Sequence, residues 1–177
     1  MDAYSALELF LFILPAYIAN AAPVVFSGGP KLDLKRVFFD GKRLLGDGKT
    51  LFGFLGGLGS GVLAAVVLAF LLPSLFVVAA PSFETKVFAG FLLSFGALCG
   101  DLIGSFFKRR IGMARGEPSI LLDQLAFLLV ALAFASQYYP PSGAGIDGLL
   151  LLVALTFVLH LFFNALAHRL RLKSVPW

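Results

Sequence analysis

Five apolar stretches, each about as long as a helix that crosses a bilayer, constrain the fold of this chain more than any other feature. A membrane-spanning helix needs about 20 apolar residues. Only 14% of the 177 residues are charged, whereas soluble domains carry roughly 25%. The sequence therefore predicts an all-α integral membrane protein in which residues 1–177 form a single transmembrane domain. The five predicted spans cover residues 3–26, 51–72, 87–107, 120–138 and 146–166.

Basic residues are concentrated in three hydrophilic segments: residues 27–50, residues 108–119 and the C-terminal tail. With five spans, these segments lie on one side of the membrane, and together they contain every Lys and Arg except Lys86. The positive-inside rule assigns such a side to the cytoplasm. We therefore expect the N-terminus outside, two basic cytoplasmic loops at 27–50 and 108–119, and a cytoplasmic C-terminus. The basic residues could serve topology alone, helped by anionic lipid headgroups.

Two aspartates lie inside the predicted spans, near the cytoplasmic boundary. Asp101 precedes the end of the third span, and Asp123 follows the start of the fourth. A carboxylate in this position is costly without a partner and indicates a functional site. Because the two helices are adjacent and antiparallel, the carboxylates lie at similar depth, and oxygen ligands beside phosphate suit Mg²⁺. The alternatives are an ion pair of Asp101 with a nearby cation and a helix cap formed by Asp123.

The third span has two faces at helical spacing. Asp101, Ser105 and Lys108 share the polar face, and the alternative partners of Asp101 are Lys108 and the next residue along the chain, Arg109. The glycines on the other face would let a second helix approach closely. These glycines are Gly96, Gly100 and Gly104.

The segment before the second span ends in Gly48-Lys49-Thr50, which resembles the end of a phosphate-binding P-loop. A Walker A motif also needs a glycine five positions before the Gly-Lys pair and a soluble helix after it. Arg43 stands at that position and a membrane span follows, so the P-loop interpretation fails. The helix N-terminus still offers free backbone N–H groups and its positive dipole end to an anion. With Lys42, Arg43 and Lys49 nearby, it could bind a polyphosphate, although the glycines that follow could serve helix packing alone.

Two motifs resemble a known enzyme family. Gly100-Asp101-Leu102 followed by Ser105-Phe106-Phe107-Lys108-Arg109 is similar to the C-terminal signature of bacterial CDP-diacylglycerol synthases, and Leu122-Asp123-Gln124-Leu125-Ala126 falls at the position of the later aspartates. The small size, the five spans and the loop DGKRLLGDGKT resemble more closely the archaeal relative, the CDP-archaeol synthase family. Two positions depart from the bacterial pattern: Gln124 stands in place of Arg, and Ala126 in place of the second Asp. Either fewer carboxylates hold the metal, or a residue such as Asp47 substitutes.

The resemblance implies a cytidylyltransferase of phospholipid biosynthesis. Such an enzyme joins CTP to a lipid phosphate and gives a CDP-lipid and pyrophosphate, with Mg²⁺ as cofactor. For the archaeal family the lipid is 2,3-bis-O-geranylgeranylglycerol 1-phosphate. The expected partners are CTP, this isoprenoid lipid and the bilayer, with no nucleic acid and no obligate protein partner. The expected location is the cell membrane, with the active site facing the cytoplasm.

The site implied by this resemblance divides into three groups of residues. We expect Asp101 and Asp123 to bind the metal and, with Lys108 and Arg109, to form the catalytic group. Asn20, Arg110 and Arg115 are the candidates for the lipid phosphate. The expected CTP ligands are Lys42, Arg43, Gly46, Asp47, Gly48, Lys49, Thr50 and Ser105.

Two other functions remain open from the residues alone. A CTP-dependent polyprenol or dolichol kinase would transfer the γ-phosphate of CTP to a lipid alcohol, with Asp47 as the only loop candidate for a base. A small transporter would also suit an intramembrane carboxylate. Against transport, the polar residues crowd one end of the spans, whereas a permeation path needs polar groups through the full thickness.

Overall fold

The computed structural model describes residues 1–114, 117, 119, 121–143 and 145–171, which form five α-helices and no strand. The helices are joined by loops, apart from two short helical turns. A 3₁₀ turn, Ala22–Val24, extends the first helix, and a π-helical turn, Leu121–Leu125, precedes the fourth. The helices are α1 (Ala3–Ala21), α2 (Leu51–Leu71), α3 (Phe83–Arg110), α4 (Ala126–Ala135) and α5 (Ile146–Arg169).

Three of the helices begin at a side chain that satisfies a free backbone N–H group of the first turn. Asp2 accepts a hydrogen bond from the Ser5 backbone at the start of α1. Thr50 accepts one from Gly53 at the start of α2. Ser82 and Thr85 form a reciprocal capping box at the start of α3. Short polar residues before each apolar run thus determine where these helices begin.

Within the described part of the chain, four helices are long and apolar enough to cross a membrane: α1 with its 3₁₀ turn, α2, α3 and α5. The predicted fourth span, residues 120–138, is an apolar helix of shorter length, Leu122–Ala135. The prediction of an all-helical membrane protein is confirmed. The sequence analysis overestimated the length of the fourth α-helix, because a π-helical turn precedes it and the helix ends at Ala135.

Helices α1 to α4 pack around a common apolar core, and α5 lies at its edge. The core includes Phe12, Leu93 and Leu128, which are almost completely buried. Helix α5 buries few residues; among them, Thr156 forms a hydrogen bond of 2.7 Å with the Tyr17 hydroxyl on α1. Most of the remaining surface of α5 carries exposed apolar side chains, as expected for a helix in contact with lipid.

Helices α3 and α4 cross at the glycine strip predicted from the sequence. A Cβ atom at Gly104 would lie 2.7 Å from the backbone oxygen of Leu122, and one at Gly100 would collide with the backbone of Ala126. Only glycine permits this approach, because any side chain would have to push the neighbouring backbone away. The crossing brings the stretch around Asp101 beside the stretch around Asp123.

The loops divide between two ends of the bundle. Residues 27–50 contact the C-terminal end of α3, where the Lys42 ammonium donates to the backbone oxygen of Arg110 at 2.8 Å. We call this the basic end. At the opposite end, Lys86 is buried and donates to the backbone oxygens of Phe76 and Val77. The basic connectors therefore share one end, as the sequence predicted.

Candidate active site

The loop of residues 27–50 is folded against itself at the basic end. Lys31 pairs with Thr50 and Val37 pairs with Arg43 through isolated antiparallel bridges. The Lys31 ammonium also donates to the backbone oxygen of Asp47 at 2.8 Å. These contacts hold residues 40–50, the stretch predicted to bind the nucleotide, in one conformation.

Asp33 is the centre of the hydrogen bonding in this loop. Its side chain is fully buried and faces the Arg43 guanidinium at 2.8 Å. It also accepts hydrogen bonds from three backbone N–H groups, of Lys35, Leu45 and Gly46. Burial by itself would raise the pKa of Asp33, but the hydrogen bonds from Arg43 and the backbone outweigh it and lower the pKa well below its usual value. Asp33 is therefore an anion that organises the loop.

Arg110, at the end of α3, joins the loop to the helix bundle. Its guanidinium lies over the rings of Phe38 and Phe106, at 4.9 and 4.7 Å from their centroids. Its Nε lies 3.3 Å from the Asp40 carboxylate, and its Nη2 donates to the backbone oxygen of Arg43. The aromatic faces and the carboxylate together fix the position of this cation.

Two lysine–aspartate pairs lie beside the α3–α4 crossing. The Lys49 ammonium is 2.5 Å from Asp101, and the Lys108 ammonium is 3.0 Å from both carboxylate oxygens of Asp123. Asp123 also accepts from the Ser119 backbone at 2.9 Å. Each aspartate keeps about three tenths of its side chain exposed. Asp101 therefore forms an ion pair, as the alternative interpretation proposed. Its partner is Lys49, from the loop before α2, and neither of the two expected residues on α3, Lys108 and Arg109.

A cleft of about 340 Å³ lies between the loop and the end of α3. Arg109 forms part of its wall, and the Arg109 Nε is buried without a hydrogen-bond acceptor among the described residues. A buried donor without an acceptor is costly. Three cations and one carboxylate line the cleft, so it is suited to an anionic ligand. The residues lining it are Lys42, Arg43, Gly46, Asp47, Arg109, Gly112 and Met113.

Several predicted ligands already have partners within the chain. The Thr50 hydroxyl accepts from the backbone of Gly28 and Gly53, and the Gly46 N–H group donates to Asp33. Arg43 is engaged by Asp33 and Asp47. The main contribution of these groups in this structure is to hold the loop in shape. Their role as nucleotide ligands stays a prediction.

The other predicted ligands lie around the same end. Gly48 is exposed, with open space where a side chain would extend. Ser105 lies one helical turn beyond Asp101 on α3 and is partly buried. Asn20 is partly buried near the end of α1. Arg115, a predicted lipid-phosphate ligand, lies outside the described residues.

Asp101 and Asp123 fit a Mg²⁺ ion as an incomplete ligand set. Both offer hard carboxylate oxygens, and Mg²⁺ is commonly held by one or two carboxylates together with substrate phosphates and water. Among the described residues, no three His, Cys, Asp or Glu side chains form a metal-binding group. Asp47, considered as the substitute for Ala126, faces Arg43 at 3.2 Å. The protein would thus hold the ion through two carboxylates and leave the remaining positions to substrate.

Sequence reasoning missed Asp33 and Glu117. The backbone oxygen of Glu117 accepts from the Lys108 ammonium, and its carboxylate accepts from the Ala114 backbone. Both residues act through the local fold of a loop, and neither lies in a motif with fixed spacing. The one available signal for Asp33 was its position among the cations of this loop, and the same loop also contains Asp40 and Asp47.

Known proteins resemble this chain over nearly its whole length. The family model described as CarS-like CDP-archaeol synthase matches residues 4–177. CDP-archaeol synthase of Thermococcus kodakarensis is 49% identical over 168 residues, covering 95% of this chain and 94% of that protein. CDP-archaeol synthase of Pyrococcus horikoshii is 46% identical over 177 residues and covers 100% of both chains.

A solved structure shares the fold. It was described as an intramembrane enzyme for archaeal membrane lipids biosynthesis, and it superposes with a TM-score of 0.77 at 39% sequence identity. The match covers 88% of this chain and 91% of that one. The helical architecture around the α3–α4 crossing therefore belongs to an intramembrane enzyme fold.

Proposed function

This chain belongs to the CDP-archaeol synthase family and is a CTP-dependent cytidylyltransferase of archaeal lipid synthesis, and we propose how its residues carry out that transfer. The acceptor we propose is 2,3-bis-O-geranylgeranylglycerol 1-phosphate. The family match decides against the lipid-alcohol kinase and the transporter that the residues alone had left open.

The reaction needs positioning and charge neutralisation more than proton transfer. An oxygen of the lipid phosphate attacks the α-phosphorus of CTP, a new P–O bond forms, and the bond to the leaving pyrophosphate breaks. A phosphate monoester has a second pKa near 6 and is mostly dianionic at neutral pH, so the nucleophile needs no general base. The enzyme must instead bring two anions together and stabilise the charge on the phosphates.

The observation that most directly supports this mechanism of phosphate binding and transfer is the presence of the two lysine–aspartate pairs. Lys49 and Lys108 neutralise Asp101 and Asp123 in the structure. When substrate binds, both ammonium groups would move from the carboxylates to phosphate oxygens, which would leave Asp101 and Asp123 free to hold a Mg²⁺ ion. Lysine suits this exchange because its point charge lies on a flexible side chain with three donors.

The cleft between the loop and α3 is our candidate for the triphosphate. Lys42 and Arg109 supply positive charge there, and a shift of the Arg109 side chain on binding would bring its buried Nε to a phosphate oxygen. Lys108, the residue before Arg109, connects this cleft to Asp123 in the π-helical turn before α4. The negative charge of the triphosphate would thus be neutralised along its length, from the β- and γ-phosphates in the cleft to the α-phosphorus at the reacting centre.

Asp101 and Asp123 are the residues that we propose to hold Mg²⁺. The bound ion would supply Lewis-acid polarisation of the phosphate oxygens and neutralise the leaving pyrophosphate. Since the two aspartates come from different helices, their separation depends on the glycine contact between α3 and α4. We propose further that this end faces the cytoplasm of the cell membrane, where CTP is available, with five spans and the N-terminus outside.

Product analysis with labelled CTP tests the proposed acceptor and the metal. Purified enzyme with Mg²⁺, the geranylgeranyl lipid phosphate and CTP labelled at the α-phosphorus should give labelled CDP-lipid and unlabelled pyrophosphate. Label at the γ-phosphorus should appear only in pyrophosphate. Chelation of the divalent ion should stop the reaction, and Mg²⁺ should restore it. Activity with the corresponding diacyl lipid alone, or full activity in chelator, would contradict the proposal.

A further inference from the structure

The tip of the loop at the basic end exposes apolar side chains to an unusual degree. We define the loop tip as residues 34–42. Within it, Phe39 is 100% exposed, Leu34 67% and Val37 61%. Monomeric soluble proteins rarely expose apolar side chains together in this way, and such a group marks an interaction surface.

Backbone hydrogen bonds fix the conformation of the loop tip. The Phe38 N–H donates to the Lys42 oxygen at 2.8 Å, and the Gly41 N–H donates back to the Phe38 oxygen at 3.0 Å. Below them, the Leu44 N–H donates to the Arg36 oxygen at 3.1 Å. The turn therefore presents the Phe39 ring outward from a closed hairpin. The ring near it is that of the preceding residue, Phe38.

A chain of aromatic contacts connects the loop tip to the membrane-facing surface of α3. The ring centroids of Phe39 and Phe38 are 5.0 Å apart, and those of Phe38 and Phe106 are 5.3 Å apart. Phe106 in turn contacts Phe107 at 5.7 Å. Phe107 is 51% exposed on a helix long enough to span the bilayer. The loop tip is thus continuous with an exposed apolar side chain on a helix that is long enough to span the bilayer.

Charge on the loop tip favours an anionic surface. Lys35 and Arg36 flank the apolar residues and are exposed. The only acidic residue of the tip, Asp40, lies 3.3 Å from Arg110 and is neutralised by it. Aromatic rings beside free cations are the composition that associates with the headgroup region of anionic membranes.

We propose that the loop tip inserts its apolar side chains into the membrane interface, with Lys35 and Arg36 in contact with anionic headgroups. The occupant of this surface is the bilayer in which the protein itself lies. Because Asp33 and Arg43 join the tip to residues 43–50, insertion would hold the nucleotide loop at the level of the lipid phosphates. The insertion itself does not depend on which reaction the site performs.

A tryptophan reporter at the loop tip tests the insertion directly. The chain has one tryptophan, Trp177, so Phe39→Trp in a Trp177→Phe background gives a single reporter that is read without any activity. In vesicles of anionic lipid brominated near the headgroup, we expect blue-shifted emission, strong quenching by the bromine atoms and weak quenching by aqueous acrylamide.

Two reporters calibrate that result. Phe70→Trp lies on an exposed face of the spanning helix α2 and defines the response of a residue in lipid. Free N-acetyltryptophanamide in buffer defines the response in water. Insertion predicts that Phe39→Trp resembles Phe70→Trp. A response like that of the free indole, or blue-shifted emission without bromine quenching, which would mean burial against protein, overturns the proposal.

The charge part of the proposal has its own measurement. Lys35→Gln together with Arg36→Gln should reduce the bromine quenching of Phe39→Trp in anionic vesicles towards the value found in neutral vesicles. An equal response of the parent reporter in anionic and neutral vesicles would overturn the headgroup contact. Circular dichroism of each variant confirms that the helices are intact.

Discussion

At the scale of single residues, the site is a set of cations that already neutralise the carboxylates beside them. Asp101 has Lys49, Asp123 has Lys108, and Asp33 has Arg43. A partly buried charge without a partner would be destabilising, so the pairs stabilise the arrangement of these carboxylates. One of the three pairs, Lys49 with Asp101, joins segments that are 52 residues apart in the chain. The exchange of Lys49 and Lys108 from their aspartates onto substrate is the step that we expect single substitutions to reveal.

Asp101→Asn should abolish formation of CDP-lipid while the protein stays folded. The amide is a poorer Mg²⁺ ligand than the carboxylate, but it preserves the shape of the side chain. The assay is CDP-lipid formation under saturating substrates, with thermal unfolding in detergent alongside. Asp147→Asn, at the opposite end of the bundle on α5, is the matched control and should keep full turnover. Near-normal turnover of Asp101→Asn would refute its assignment as a metal ligand.

Lys49→Ala should have opposite effects on metal binding and on catalysis. Without the competing ammonium, Mn²⁺ alone should bind the enzyme more tightly, as measured by electron paramagnetic resonance. Loss of a cation from the transferring phosphates should lower kcat/KM for CTP by about 100-fold or more. Arg169→Gln, an exposed cation at the end of α5, should change neither quantity. Weaker Mn²⁺ binding in Lys49→Ala would contradict the exchange of partners.

At the scale of elements, two pieces of the fold determine where those residues lie. The α3–α4 crossing brings Asp101 and Asp123 to the same region, and the loop of residues 27–50 places its cations over the end of α3. The crossing depends on glycine contacts, and the loop depends on a single buried anion, Asp33. Each can be disturbed without touching a residue of the proposed reaction.

Gly100→Ala should impair activity by separating α3 from α4. The added methyl group would collide with the backbone of Ala126, and overpacking of this kind costs about 1–3 kcal/mol. We expect a lower unfolding temperature and weaker Mn²⁺ binding. Gly59→Ala, on α2 with no atom within 4 Å of the new group, is the control and should leave both unchanged. Equal behaviour of the two variants would argue against the close crossing.

Asp33→Asn should loosen the loop in a pH-dependent way. Its lowered pKa means that the stabilisation is fully present above the unfolded-state value of about 4 and is lost as pH falls further. Removing the charge from these hydrogen bonds should cost about 1.5–3 kcal/mol at neutral pH. The unfolding temperature measured from neutral pH downward should therefore fall less steeply below pH about 4 in the variant than in the parent.

Kinetics separate this role of Asp33 from a general effect on stability. Asp33→Asn should raise the KM for CTP and leave the KM for the lipid unchanged, and Asp33→Glu should recover part of the loss. Two results would show that Asp33 does not position the nucleotide loop. One is a parallel rise of both KM values; the other is an unfolding temperature that falls as steeply below pH about 4 in the variant as in the parent.

At the scale of the whole molecule, polarity separates the two ends of the bundle. The basic end carries the cleft and both lysine–aspartate pairs, while a second cavity, of about 440 Å³, lies at the opposite end beside Lys86. That ammonium is occupied by two backbone oxygens, and it is distant from the proposed chemistry. The separation matches an enzyme that takes a soluble nucleotide at one face and a lipid from within the bilayer.

Cysteine labelling tests the orientation of the two ends. The chain has a single cysteine, Cys99, so Cys99→Ala provides a background without thiols. A cysteine introduced at Ser142, in the exposed loop before α5, should react with a membrane-impermeant maleimide in intact cells. One introduced at Gly48 should react only after permeabilisation. The reverse pattern would invert the topology that we propose.

The amino-acid sequence by itself determined the membrane class, the helical fold, the segregation of basic loops to one end and the two aspartates with their glycine strip. These follow from local properties: apolar length, charge distribution and helical spacing. The family resemblance and with it the cytidylyltransferase activity could also be predicted, since the motifs are contiguous.

Only the tertiary structure decided which groups meet. Lys49 and Asp101 are far apart in the chain, and the choice of Lys49 over Lys108 as the partner depends on how the loop folds over α3. The short π-helical start of α4 and the organising role of Asp33 likewise arise from packing and backbone hydrogen bonds between segments. Such contacts depend on the distance between two segments in the folded protein. Residue types and their spacing along the chain do not give that distance directly.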